Sequence, residues 1–162
     1  MRGLKLFEAE DKGNCAACHP SQADDKGNPP LFTDYTYDNL GLPPNEKNPF
    51  YVQSAEFNPK DRNYVDIGLA ATTGRDEDRG KFKVTTLRNI ALTAPYFHNG
   101  IVSSLTETVQ FYNTRDTRQD WGKPEVSENV NTDELGDLGL TETEVADIVA
   151  FMKTLTDGYM PE

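Results

Sequence analysis

Cys15-Ala16-Ala17-Cys18-His19 is the run that decides the reading of this chain. Two cysteines three positions apart, with a histidine directly after the second, form the attachment pattern of c-type haem. The chemistry sets the spacing. Two thiols add to the two vinyl groups of the macrocycle, and the imidazole that follows reaches the iron from the same side. Cys15 and Cys18 therefore read as covalent anchors and His19 as an axial ligand. Rival readings fail on their surroundings. A thioredoxin-like pair belongs beside a βαβ pattern, which the flanking sequence lacks. A structural zinc site takes four ligands, but no further Cys exists and His98 is the one other His. A plain disulfide leaves the adjacent histidine unexplained.

Working outward, the 162 residues suffice for one domain with a buried core, and 1–162 is read as a single mono-haem unit. Only 36% of residues are hydrophobic, with 12 Gly and 10 Pro. That is lean for a self-sufficient core and leaves room for a large buried cofactor. No apolar run approaches the roughly 20 residues that span a bilayer. A formal net charge of −11 repels nucleic acid and suits a redox partner with a basic docking face, although acidity also serves plain solubility. The mixed run Arg75-Asp76-Glu77-Asp78-Arg79 reads as a solvated loop. Residues 1–12 are amphipathic and charged, without the apolar stretch of an export signal. The expectation is a mature form or one domain of a longer protein. Haem c is attached outside the bacterial cytoplasm, so the motif implies a periplasmic or exported location.

The pattern predicts helices and loops. Residues 4–10, with Leu4 and Phe7 opposed to Lys5 and Glu8, predict a short amphipathic helix ended by Gly13-Asn14. Residues 20–63, punctuated by Pro29-Pro30, Gly41 and Pro43-Pro44, predict a long irregular excursion, and residues 72–83 a second polar loop. Ser104-Leu105-Thr106-Glu107 has the form of a capping box. It opens a helix to about Asn113 that carries Leu105, Val109 and Tyr112 on one face. Thr141-Glu142-Thr143-Glu144 repeats the pattern ahead of the stripe Val145, Ile148, Val149, Met152 and Leu155, with Asp157-Gly158 as the stop. No strand alternation is sustained, so the fold class is all-α, cytochrome c-like, with long irregular loops.

The block Lys81-Phe82-Lys83-Val84-Thr85-Thr86-Leu87-Arg88-Asn89-Ile90-Ala91-Leu92-Thr93-Ala94-Pro95-Tyr96-Phe97-His98-Asn99-Gly100 resembles the signature of the bacterial di-haem cytochrome c peroxidase and MauG family. Residues 104–113 and Glu134-Leu135-Gly136-Asp137-Leu138-Gly139-Leu140-Thr141 are similar to it too, and the resemblance is to the C-terminal haem domain. A single attachment motif marks a departure, and the expectation is a chain without the N-terminal haem domain. In that family peroxide chemistry belongs to the N-terminal haem and electron transfer to the C-terminal one. The resemblance thus implies the electron-transfer half and puts catalysis by this chain alone in doubt.

The second axial ligand stays open among several residues. Small cytochromes c commonly use Met. Met152 lies mid-stripe, where core packing is the plainer reading, and Met160 sits in a terminal tail that anchors poorly. The resemblance places Tyr112 where the peroxidases carry a distal Met and MauG-like members a ligating Tyr. The alternative is a core tyrosine with a bonded hydroxyl. His98 is placed in the haem environment, hydrogen-bonded near the distal pocket, with bis-histidine ligation open. The resemblance also implies a calcium ion on the main-chain oxygens of Thr93 and Pro95. Trp121 reads as surface packing, with electron relay as its alternative.

Overall fold

A computed structural model describes residues 2–158. The elements are α1 (Arg2–Glu8), β1 (Tyr37–Asp38), α2 (Ala70–Thr73), β2 (Phe82–Lys83), α3 (Leu105–Thr114) and α4 (Glu142–Lys153), with short 3-10 turns between them. The regular structure is thus mostly helical, and long irregular segments join the helices.

The two end helices cross. Phe7 of α1 is 1% exposed, and its ring meets Phe151 of α4 edge-on at 5.1 Å. The close approach depends on Gly3. A Cβ there would fall onto the Asp147 carbonyl oxygen and lie 2.8 Å from Phe151 Cβ. Both predicted capping residues act as such. Ser104 Oγ accepts from Glu107 N–H, and at Thr141 the reciprocal box is complete, with Glu144 reaching back to the Thr141 N–H at 2.8 Å. The predicted stripe on α4 is buried throughout, and Leu155 just beyond it as well. Helix α4 stops at Lys153, ahead of the Asp157-Gly158 signal. Likewise α1 begins and ends two residues before its predicted limits.

Two expectations need correction. The loops at 20–63 and 72–83 are not wholly irregular, because β1 and β2 pair antiparallel with Tyr37 opposite Lys83 and Asp38 opposite Phe82. So short a ladder leaves no periodicity to read, and the all-α class holds only with this small sheet added. Nor is the 75–79 run simply solvated. Asp78 is 4% exposed and accepts from Thr73 Oγ1 and Arg75 Nε, each at 2.8 Å. Those bonds satisfy the buried carboxylate and hold it below the usual carboxylate range.

Residues 135–140 run along the end of α3 and fix its last turn. Gly136 N–H donates to the Tyr112 carbonyl at 2.7 Å. The buried Asn113 amide bonds both the N–H and the carbonyl of Leu140. This lashing sets the orientation of the helix face that carries Tyr112.

Candidate haem-binding site

A largely apolar, partly open cavity of about 470 Å³ is bordered by residues from all along the chain, within the size range of cofactor sites. Cys15, Cys18 and His19 line it from the turn after α1, Leu105, Val109 and Tyr112 from α3, and Ile148 and Met152 from α4. Thr93, Pro95 and His98 line it as well. Apart from Met160, which lies outside the described residues, every candidate site residue thus borders one space.

The attachment motif sits in a 3-10 turn, Cys15–Ala17, entered through Asn14 in a left-handed conformation (φ 49°). Both thiols are free. Burial pushes the Cys15 thiol up to about 12. Burial and then the carboxylates of Glu134, Asp34 and Asp38 push Cys18 up to about 11. His19 Nδ1 lies 2.7 Å from the Phe32 carbonyl oxygen. That oxygen only accepts, so Nδ1 carries the proton and Nε2 keeps its lone pair. Burial lowers the His19 pKa, against the Phe32 bond, and favours this neutral form.

Sequence reasoning did not reveal what holds Phe32. Arg88 Nε and Nη2 both donate to the Pro30 carbonyl, at 2.9 and 2.7 Å, and Thr86 Oγ1 donates to the Leu31 carbonyl. The guanidinium also lies over the Phe32 ring, 5.1 Å from its centroid. Three consecutive residues are thereby clamped, and the third presents its carbonyl to His19.

Tyr112 lines the cavity, and its hydroxyl has no hydrogen-bond partner among the described residues. Tyr96, also buried, donates its hydroxyl to the Ile90 carbonyl at 3.0 Å. The bonded core tyrosine considered as the alternative is therefore not what the structure has. Burial, with the nearby Cys15 and Cys18 thiols, raises the Tyr112 pKa. Met152 is 6% exposed and packed in the core, yet also borders the cavity. The hydrogen bond expected of His98 is not there. Its ring stacks flat on Phe82 at 3.5 Å, with planes 5° apart, and has no hydrogen-bond partner among the described residues. Trp121 packs as expected, with its indole N–H on Thr114 Oγ1 at 3.0 Å and its ring edge-on to Phe111 at 5.3 Å. Thr93 and Pro95 are exposed on the cavity rim. Sequence reasoning also missed Asp66 and Glu125, which belong to the same wall and carry no motif. Two free thiols, an imidazole with one nitrogen committed and an apolar enclosure of this size form a donor set that fits haem c.

No protein-family model matches the chain. Curated relatives do. It is 36% identical to "Methylamine utilization protein MauG" of Paracoccus denitrificans over 158 residues, covering 89% of this chain and 39% of that protein. It is 34% identical to "Cytochrome-c peroxidase IdrP1" of Denitromonas iodatirespirans, covering 96% of this chain and 40% of that one. The chain thus spans about two fifths of the length of these relatives. Among solved structures, the diheme peroxidase BthA of Burkholderia thailandensis superposes with a TM-score of 0.76 at 31% identity, over 98% of this chain and 42% of BthA. A MauG-like protein associated with microbial copper homeostasis gives a TM-score of 0.65 at 31% identity, over 96% of this chain and 46% of that protein. With the cavity and its donors, these likenesses show that the chain belongs to the family of MauG and the bacterial cytochrome c peroxidases.

Proposed function

We propose that this chain is a mono-haem c-type cytochrome domain, the counterpart of the C-terminal haem domain of its relatives, and that it carries electrons. The observation behind the proposal is the convergence of Cys15, Cys18 and His19 on one apolar cavity, with His19 Nδ1 committed to the Phe32 carbonyl. Cys15 and Cys18 anchor the macrocycle, and His19 Nε2 ligates the iron. When bound, the haem supplies reversible one-electron chemistry. The chain's own residues do the rest. The Phe32 carbonyl fixes the His19 tautomer and raises its donor strength, while Leu105, Val109 and Ile148 wall off water. An acidic surface suits a partner with a basic face, in a periplasmic or exported location. Two main-chain oxygens, those of Thr93 and Pro95, are a fraction of the six to eight that calcium takes. Calcium binding therefore requires further oxygen donors beyond these two.

A second reading, a haem peroxidase or MauG-like oxidant, draws on Tyr112. Its unpartnered hydroxyl faces the cavity, and two relatives are named for such proteins. Burial keeps the free side chain a phenol, and a bound cation reverses that preference. Optical spectra of the oxidised and reduced protein separate the readings. A far-red sulfur-to-iron band in the ferric form supports Met ligation and an ordinary carrier. Ferric phenolate or high-spin bands favour the second reading, while absence of covalently bound haem refutes both.

A further inference from the structure

The cavity wall holds a pair of carboxylates that haem ligation does not use. Glu125 and Asp66 both border the cavity. Glu125 Oε1 accepts from the Asp66 backbone N–H at 3.2 Å and from the Tyr51 hydroxyl at 3.4 Å. The Asp66 side chain accepts from Gly68 N–H at 3.0 Å, and its charge acts on the Glu125 carboxyl. The charges of both carboxylates reach Tyr64, and that of Asp66 reaches His98. Among the described residues no lysine or arginine forms an ion pair with either acid. Burial, and after it the Asp66 charge, pushes the Glu125 carboxyl up against the bonds from Asp66 N–H and Tyr51.

On the electron-transfer reading above, we propose that Glu125 is the proton acceptor that accompanies reduction of the haem. One electron enters from a one-electron donor, and one proton from solvent forms an O–H bond on the Glu125 carboxylate. Both leave on reoxidation. The reasoning is electrostatic. Each electron adds a negative charge to an apolar enclosure, where charge interacts more strongly than in water. A half-buried acid in the wall, already beside a second carboxylate and without a cation, is a group whose neutral form gains from that added charge. Proton and electron affinity are then reciprocally linked. The Glu125 pKa is higher in the reduced state than in the oxidised one. The midpoint potential therefore falls as pH rises between those two pKa values and is flat outside them.

The test is spectroelectrochemical titration of the haem-loaded protein, with dithionite and soluble mediators, from about pH 4 to about pH 9, the span in which a buried carboxyl titrates. The expected slope approaches about 59 mV per pH unit, a tenfold change in equilibrium constant for one electron. Glu125→Gln, which keeps the acceptor for Asp66 N–H and Tyr51, should remove that slope. It should also erase a protonated-carboxyl band from the reduced-minus-oxidised infrared difference spectrum. A pH-independent potential in the parent, or a slope that survives in Glu125→Gln and so belongs to the haem propionates, overturns the inference. Absence of a reducible haem would instead sink the electron-transfer reading.

Discussion

Arg88 and His19 share no hydrogen bond, yet they are linked through one short segment: Arg88 makes two bonds to the Pro30 carbonyl, two residues before the Phe32 carbonyl that meets His19 Nδ1. Hydrogen bonds to a charged group are worth about 1.5–3 kcal/mol each pair of partners. Arg88→Ala should destabilise the fold by about that much in urea denaturation and shift the midpoint potential of the loaded protein. Arg88→Lys, unable to donate as a fork, should recover only part of the potential. A wild-type potential in Arg88→Ala would show that the clamp has no influence on the histidine.

Covalent attachment through Cys15 and Cys18 predicts a graded loss. Cys15→Ala and Cys18→Ala should each leave one linkage, and the double variant none, read by intact mass under denaturing conditions. Haem retained covalently in the double variant would refute the assignment.

Tyr112→Phe separates packing from ligation. The hydroxyl has no hydrogen-bond partner among the described residues, so stability of the haem-free chain should change by less than about 1 kcal/mol. The ferric spectrum of the loaded protein should change sharply. An unchanged spectrum would move the ligand assignment to Met152, His98 or Met160.

Acid should loosen the loop around Asp78. Its pKa in the fold is held below the usual carboxylate value by Thr73 and then Arg75. The stabilisation is fully present above the unfolded-state value and is lost as pH falls through the folded one. Denaturation midpoints measured down a pH series should fall less steeply for Asp78→Asn than for the parent. Parallel curves would mean that the carboxylate contributes nothing to acid sensitivity.

Gly3→Ala should disturb the crossing of α1 and α4, since a Cβ there meets the Asp147 carbonyl. Overpacking costs about 1–3 kcal/mol, measurable as a lower thermal midpoint. A midpoint equal to the parent's would mean that the helices slide apart without penalty.

What the sequence made legible was local. The Ser104 and Thr141 caps and the α4 stripe are encoded within a few residues, and the fold uses them as read; the attachment motif is equally compact, and its residues border one cavity. Tyr112 was legible as well, because helical spacing placed it with Leu105 and Val109. What stayed hidden is long-range or carried by backbone atoms. The β1–β2 pairing joins distant loops, and the Phe32 carbonyl has no side-chain signature. The Asp78 carboxylate looked like surface charge until Thr73 and Arg75 closed over it. Glu125 and Asp66 meet only once the loops are wrapped.

The raised thiol pKa values of Cys15 and Cys18 bear on the order of biosynthesis. The thiolate is the reactive form of cysteine, and in the haem-free fold burial disfavours it at both sulfurs. Thioether formation is therefore expected to run faster on the still open chain than on the folded one. A chain that folds ahead of loading would enclose the cofactor and join it only slowly, a delay visible as haem that washes out under denaturation.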